Sequence, residues 1–286
     1  MKRWTMMLMA WLWLTHVALA QTVVTWNLEW YPGRKPDRPT AAAEVKHIEA
    51  CREALQKLNP DIFIAEEVRD WQSFADLVSV VPGLRPHVVS AFRLSEGELA
   101  RQQICIASKL KAVAAWSEPW QPAIPDLPRG FSFAALESPD GAGLLMVYGL
   151  HLKSNRGNAD VNARLRNESV RQLLAHMAAM EGAFKRHKIK GWIAAGDLNT
   201  NHDDQFKDTV VSNMVEGGFW NSWKGVEPEK RATWRSRPGS QFKHTTFDYI
   251  FTKGLGEPVA TMHEQSDDAS DHWPVVLNLT APKKDD

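Results

Sequence analysis

The sequence has few cysteines, no long apolar run beyond its first twenty residues, and no excess of either charge. Cys51 and Cys105 are the only cysteines among 286 residues. They lack the spacing of a zinc site, and they are either a disulfide pair or two free buried thiols. No later segment is apolar enough to span a bilayer. Neither a repeat nor a linker divides the chain, so we expect one domain.

The amino terminus has the pattern of an export signal. Residues 1–3 include two basic side chains, residues 4–17 contain no acid, and residues 18–20 fit an A-x-A cleavage site. We therefore predict a signal peptide over 1–20 and a secreted or periplasmic mature domain over 21–286, without stable membrane association. An uncleaved anchor is the alternative, but the apolar run is shorter than the ~20 residues that a spanning helix needs.

Global charge gives no sign of a nucleic-acid partner, whereas local charge does. The chain has 34 basic and 34 acidic side chains, and loss of Lys2 and Arg3 with the signal leaves 32 against 34, a net charge of −2. Residues 228–244 form a basic segment of net charge +4, in which Glu229 is the only acid. Its basic residues are Lys230, Arg231, Arg235, Arg237 and Lys243. The segment is either a nucleic-acid contact or a solvated loop.

Hydrophobic periodicity predicts alternating strands and helices. We predict helices over 45–58, from an Asp70 cap to residue 78, and over 162–186. Strands are predicted at 22–26, 61–65, 87–92, 103–108, 130–136, 144–150, 192–195, 246–251, 258–263 and 275–279. The stretch from Trp116 to Pro128, rich in proline and tryptophan, is predicted to be a loop, either a hydrophobic lid or a grip on substrate.

Several predicted strands end in polar side chains. In the clearest case, an apolar run ends at Gly196, and Asp197 and Asn199 follow two residues apart, so that they can point the same way. An Asx turn explains one such end. The pattern recurs, however, at Asn27, Glu29, Glu67, His151, Asp248, Asp271 and His272. Burying so many ionised groups is costly unless they pair or bind a cation.

The types of residue at these strand ends indicate a chemistry. Carboxylate and amide oxygens without cysteine suit Mg²⁺, Mn²⁺ or Ca²⁺. Histidines on the same rim indicate proton transfer at a phosphate. Asp248 and His272, taken alone, are more often a structural pair, and here the structural and catalytic roles coincide.

Six blocks, in this order, resemble the endonuclease/exonuclease/phosphatase superfamily with the DNase I-like fold. They are TWNL at 25–28, DIFIAEEV at 61–68, GLHL at 149–152, GDLN at 196–199, FDYI at 247–250 and SDHWPV at 270–275. The resemblance implies an α+β, four-layer α/β/β/α sandwich of two packed mixed sheets with outer helices. The site is then expected at one sheet edge. Glu66 stands where relatives usually carry Gln, and as the neighbour of Glu67 it is expected to point away.

The resemblance also assigns metal ligands. Glu67 would be the principal ligand of Mg²⁺ or Mn²⁺, with Ca²⁺ a further candidate. Asn27 and Asp271 would lie nearby, and Glu29 is a candidate second ligand.

By the same resemblance, five side chains would take part in catalysis. Asp197 would orient or deprotonate the attacking water, and Asn199 would hydrogen-bond a phosphate oxygen. His272 would contact the scissile phosphate with its tautomer held by Asp248. His151 would face the phosphate from the other side.

Together these observations predict a monomeric, metal-dependent phosphodiesterase whose substrate is nucleic acid. Arg129 resembles a phosphate-contacting arginine of some relatives, although an arginine at a strand start is often only solvated. Arg235 and Arg237, with Trp234 between basic neighbours, favour a polyanion whose bases stack. Hydrolysis of a phospholipid, a sugar phosphate or an inositol phosphate is the alternative. A catalytically silent binding protein is a remote one, because such a scaffold has no need of His151 and His272.

Overall fold

The chain folds into two six-stranded sheets flanked by helices. The computed structural model describes residues 21–34, 40–124, 127–201, 206–236, 239–240 and 242–279. The predicted signal peptide and Arg237 lie outside the described residues. The elements are β1 Gln21–Tyr31, α1 Ala41–Leu58, β2 Ile62–Val68, α2 Trp71–Val78, β3 Arg85–Val89, β4 Gln103–Ser108, β5 Ala112–Pro119, β6 Gly130–Glu137, β7 Leu144–His151, α3 Ala159–Ala183, β8 Ile189–Asp197, α4 Val210–Glu216, β9 Trp220–Asn221, β10 Asp248–Lys253, β11 Thr261–Met262 and β12 Val275–Leu279.

Both sheets are mixed. The first has the strand order β11-β12-β1-β2-β4-β3, and the second β5-β6-β7-β8-β10-β9. Only the β1–β2 and β7–β8 pairs are parallel among the paired strands of the described residues. Each parallel pair lies at the centre of its sheet. The carboxyl ends of these four strands meet at one end of the sandwich, because Asn27 near the end of β1 bonds Asp197 at the end of β8.

Side-chain alternation divides the core into layers. In β1, Val23 packs between the two sheets, whereas Val24 and Trp26 pack on the other face together with Cys51 and Leu55 of α1. On the far side, α3 and α4 cover the second sheet. The predicted α/β/β/α sandwich is therefore confirmed.

Local signals fix the helix ends. Asp70 caps α2 by accepting a hydrogen bond from Ser73 N, as predicted. Thr40 caps α1 in the same way, and Asn59 ends it in a left-handed conformation before Pro60. The third helix begins at Ala159, three residues earlier than predicted, because Asn158 caps it.

The prediction of a loop from Trp116 onward is wrong as far as Pro119. Residues 112–119 form β5, an edge strand that pairs antiparallel with β6. Proline at the end of an edge strand interrupts no ladder hydrogen bond. The Trp116 ring packs 4.4 Å from that of Phe133, and Trp120 is buried against Phe131. Neither tryptophan forms a lid.

Both cysteines are free and buried. Cys51 donates to the carbonyl oxygen of Ala269. Among the described residues, no helix combines the length and the apolar character needed to cross a membrane.

Candidate active site

Three neighbouring strands of the second sheet bring polar side chains to one edge. His151 pairs with Asp197 across the parallel β7–β8 ladder, and Asp248 pairs with Asp197 across the antiparallel β8–β10 ladder. Gly196 makes this close approach possible. Its φ is 144°, and a Cβ there would lie 1.9 Å from the carbonyl oxygen of Leu150.

The first sheet contributes the opposite wall. Asn27 lies near the end of β1, and the loop before β12 carries His272. Ser270 joins them, because its hydroxyl donates to the Asn27 backbone carbonyl and accepts from His272 N. Trp26 Nε1 donates to the His272 carbonyl oxygen. The backbone around His272 is therefore fixed to β1.

The two walls meet at one carboxylate oxygen. Asp197 Oδ2 accepts a hydrogen bond of 3.0 Å from Asn27 Nδ2. The same oxygen lies 3.6 Å from His151 Nε2 and 4.0 Å from His272 Nε2. All four side chains are buried. The structure thus brings Asn27, His151, Asp197 and His272 together, as predicted.

Asp248 holds the imidazole of His272. Asp248 Oδ2 lies 2.8 Å from His272 Nδ1, which places a proton on Nδ1 and turns Nε2 toward Asp197. Burial by itself lowers the pKa of His272, but Asp248, Asp197 and Asp271 outweigh it and raise the pKa well above the usual value.

His151 has the opposite protonation behaviour. Burial lowers its pKa well below the usual value, and the positive charges of Arg129 and His272 lower the pKa further. The site therefore places a charged imidazole and a neutral one within 4.0 Å of the same oxygen of Asp197.

Burial also changes the carboxylates. Desolvation raises the pKa of Asp197 to about 7, with a further contribution from Asp248, although His272 and the bonds from Asn199 and Asn27 oppose it. Burial likewise raises the pKa of Glu67, against the influence of His272, Gln102 and Arg129. The site therefore contains more buried carboxylate than the nearby cationic groups neutralise, which favours binding of a cation.

The expectation that Glu66 points away from the site is wrong. Glu66 is fully buried and accepts a hydrogen bond from Thr25 Oγ1. Burial raises the pKa of Glu66, and Asp248 and Asp197 raise it further. Glu66 pairs with Asn27 across the parallel β1–β2 ladder, so the two side chains share one face of the sheet. The cause is Glu67, whose φ of 61° interrupts the alternation of β2 at a register shift against β4.

The predicted metal ligands differ in their surroundings. Glu67 Oε2 accepts from Trp30 N, and Glu67 Oε1 lies 3.8 Å from His151 Nε2. Asp271 Oδ2 accepts from Trp234 Nε1. Glu29 Oε2 accepts from Arg34 Nε at 2.8 Å and from Asp271 N, so it already has two partners.

Oxygen donors of this kind fit a hard divalent cation. Glu67, Asn27 and Asp271 would hold it, and the side-chain oxygen of Asn27, which accepts from Glu29 N, keeps a second lone pair. Within the described residues, one group of three acids and histidines has ligand atoms all within 4.8 Å of one another: Asp197, Asp248 and His272. Two of its members already bond each other.

Asn199 and Arg129 also lie at the site. Asn199 N donates to Asp197 Oδ1, so an Asx turn is present, and Asn199 Nδ2 donates to the Leu152 carbonyl oxygen. Arg129 donates from Nε to the His151 carbonyl and from a terminal nitrogen to that of Leu152. Its observed contacts therefore position the end of β7.

The basic segment is not one continuous contact surface. Arg231 is buried, with Nε donating to the Val226 carbonyl oxygen, so its role is internal. Arg235 lies beside the site, with its guanidinium 4.1 Å above the Trp273 ring and its backbone N–H bonded to the Asp271 carbonyl. Lys230 is exposed.

Sequence reasoning missed the residues that act from loops. Gln102 and Arg34 contact the acidic residues Glu67 and Glu29, and Asn155 contacts the Asn199 backbone. None follows a predicted strand directly, so the strand-end pattern could not find them. The only feature of the sequence that could have indicated Asn155 is that it is a polar residue shortly after His151.

The chain has the sequence features of one protein family along most of its length. The Endonuclease/Exonuclease/phosphatase family model matches residues 24–272. The chain belongs to this family. Members are phosphoesterases that depend on a divalent metal, so the chain is a metal-dependent phosphoesterase. None of the curated proteins compared with the chain matches it at a significant level.

Several solved structures share the fold. An endonuclease/exonuclease/phosphatase family protein from Bacteroides thetaiotaomicron has a TM-score of 0.66 at 18% identity, over 91% of this chain and 94% of its own. The mannosyl-6-phosphatase Bt3783 of B. thetaiotaomicron has a TM-score of 0.63 at 18% identity, over 91% of this chain and 100% of its own. Truncated TDP2 from Caenorhabditis elegans has a TM-score of 0.62 at 17% identity, over 92% of this chain and 98% of its own. At these identities the likeness concerns the fold alone.

Proposed function

We propose that the chain is a phosphodiesterase that hydrolyses nucleic acid by attack of water. The observation that supports hydrolysis most directly is the convergence of Asn27, His151 and His272 on Asp197 Oδ2. A buried carboxylate with two imidazoles within 4.0 Å of one oxygen provides candidate groups for proton transfer at a phosphate.

Each group has a distinct task in this proposal. Asp197, with its pKa near 7, accepts the proton of the attacking water. His272, kept protonated by Asp248, donates a hydrogen bond to a phosphate oxygen as charge develops there. Asn199 donates a second hydrogen bond, and neutral His151 contacts the opposite side of the phosphate.

A divalent cation, when bound, supplies charge stabilisation at the phosphate oxygens. We propose Mg²⁺ or Mn²⁺, with Ca²⁺ as a further candidate, held by Glu67, Asn27 and Asp271. The raised pKa of Glu67 supports this, because binding a cation would stabilise its ionised form.

Basic groups on two sides of the site support a polyanionic substrate. On one side Arg235 lies over Trp273, beside Asp271. On the other side are Lys153 and exposed Arg156, in the loop after His151. Burial and then the charges of Arg129, Arg166 and Arg156 lower the pKa of Lys153. A strand crossing the site would place phosphates near both groups.

One substrate panel tests the proposal. The protein from residue 21 onward is assayed with Mg²⁺, Mn²⁺ or Ca²⁺ against plasmid DNA, RNA, sphingomyelin, an inositol phosphate and mannose 6-phosphate. We expect DNA or RNA to be cleaved fastest, and EDTA to abolish cleavage. Asp197→Asn should lower the rate at least about 100-fold. Faster hydrolysis of the lipid or of a sugar phosphate would contradict the nucleic-acid proposal.

We further propose that the mature protein acts as a monomer in the periplasm or outside the cell. The support is the export pattern of residues 1–20, which lie outside the described structure. Fractionation of expressing cells, with sequencing of the mature amino terminus, tests cleavage after Ala20. Gel filtration of the mature protein tests the monomer.

A further inference from the structure

Two loops at the site are joined by three hydrogen bonds. Leu152 N donates to the Asp197 carbonyl oxygen, and Asn199 Nδ2 donates to that of Leu152. The third bond, 2.8 Å long, runs from Asn155 Nδ2 to the Asn199 carbonyl oxygen. The loop after β7 therefore determines where the Asn199 peptide lies.

The Asn199 backbone is left-handed, with φ of 51°, a conformation that asparagine adopts more readily than most residues. Its N–H is held by Asp197 Oδ1 and its carbonyl by Asn155. Side chains thus hold both ends of a residue whose conformation is less favourable for an L-amino acid. Loss of either contact would remove one of the constraints on the Asn199 peptide.

Asn155 is itself held by a buried ion pair. Arg166 of α3, only 1% exposed, donates from one terminal nitrogen to Asn155 Oδ1 and to the Lys153 carbonyl oxygen, each at 3.0 Å. Its Nε donates to Asp208 Oδ2 at 2.7 Å. Asp208 in turn accepts from Thr200 Oγ1, next to Asn199. The pair therefore contacts both loops.

Stability alone is a poor explanation for this pair. Desolvation offsets much of the attraction within a buried ion pair, and apolar residues often replace one without loss of stability. What apolar residues cannot do is donate directed hydrogen bonds to two loops at once. The planar guanidinium provides several donors in a fixed geometry.

We propose that Asn155 is a positioning residue, which transmits the fixed geometry of the Arg166–Asp208 pair to the Asn199 peptide. It thereby holds the Asn199 amide where a phosphate oxygen binds. The inference rests on the phosphate contact proposed above for Asn199, and it does not depend on whether the substrate is nucleic acid.

The test uses Asn155→Ala, which leaves the buried ion pair in place. Rates are measured on bis(p-nitrophenyl) phosphate and p-nitrophenyl phosphate, which contain no nucleotide, so failure of the nucleic-acid proposal does not affect the result. We expect kcat to fall about three- to tenfold, the effect of one hydrogen bond, with little change in Tm. Asn278→Ala is the matched control, because Asn278 bonds Thr22 at the opposite end of β1.

A double-mutant cycle separates positioning from a general structural effect. If Asn155 acts through Asn199, then Asn155→Ala should lower kcat less than about twofold further in an Asn199→Ala background. Three results would overturn the proposal: additive losses, an unchanged rate in Asn155→Ala, or an unchanged rate in Asn199→Ala. The third would also remove the phosphate contact proposed for Asn199.

Discussion

At the scale of single residues, Asp197 shows how a turn residue can also be a site residue. Its Oδ1 accepts from Asn199 N and closes an Asx turn, while its Oδ2 accepts from Asn27 and faces both histidines. In this Gly-Asp-x-Asn sequence, one oxygen of the Asp197 carboxylate forms the turn and the other faces the site. Asp197 can therefore have a structural role and a functional role at once.

Asp248→Asn tests whether this buried carboxylate acts through His272. The change keeps the size of the side chain but removes the largest of the charges that raise the pKa of His272. We expect the rate to fall about 100-fold or more while the fold is retained. Nitrogen NMR of His272 should show loss of the charged imidazolium at neutral pH.

Asp140→Asn serves as the control for that change. Asp140 is an exposed turn residue bonded to Ser138 and Lys190. Its replacement should alter the rate less than about twofold, since exposed ion pairs contribute little. If Asp248→Asn lowers Tm steeply and the rate only in proportion, the Asp248–His272 pair is structural.

At the scale of elements, the sequence was informative where strands are central and buried. Residues 192–195 are apolar on every position because both faces of β8 are covered, and the polar residues after them had to lie at the edge. Prediction failed where local geometry breaks periodicity. The positive φ of Glu67 turns its side chain to the site although Glu66 also faces inward, and no pattern of polar and apolar residues shows this.

His47 joins α1 to two loops, and it should make the stability of the fold depend on pH. Its Nδ1 accepts from Gly33 N, and its Nε2 donates to the Ala269 carbonyl oxygen. Burial lowers the pKa of His47 to about 4. Because His47 in the unfolded chain has a pKa of about 6.5, the unfolded chain takes up the proton first as pH falls, and stability is lost between these two values.

The expected loss is about 2 kcal/mol between pH 7 and pH 5. Urea unfolding of the wild type and of His47→Gln at both pH values measures it, since the variant should lack this part of the pH dependence. His263→Gln, at an exposed loop position, should behave as the wild type. If the stability of His47→Gln depends on pH as that of the wild type does, then His47 has the same pKa in the folded and the unfolded chain.

At the scale of the whole molecule, the site exists only where the two sheets meet. The Asn27–Asp197 hydrogen bond crosses from one sheet to the other over 170 positions of sequence, and His272 bonds Asp248 across the same gap. Strand-end patterns predict that such groups share an edge, but not which atoms touch. That depends on the packing of the two sheets.

The last prediction concerns long substrates. If Arg156 and Arg235 each contact a backbone phosphate, binding releases counterions, and affinity for nucleic acid should fall steeply with salt. Replacing both by alanine should reduce the slope of log affinity against log salt by up to about two. Hydrolysis of bis(p-nitrophenyl) phosphate should not change. The measurement is the KM for DNA over a range of salt concentrations.

Arg171→Ala is the matched control, because Arg171 is exposed on α3 and paired with Glu168. A salt slope equal to that of the wild type in the Arg156→Ala, Arg235→Ala double variant would mean that these arginines are only solvated. The support for a polyanionic substrate would then be lost, while hydrolysis at Asp197 would still stand, since that rests on contacts between the two sheets and not on the surface cations.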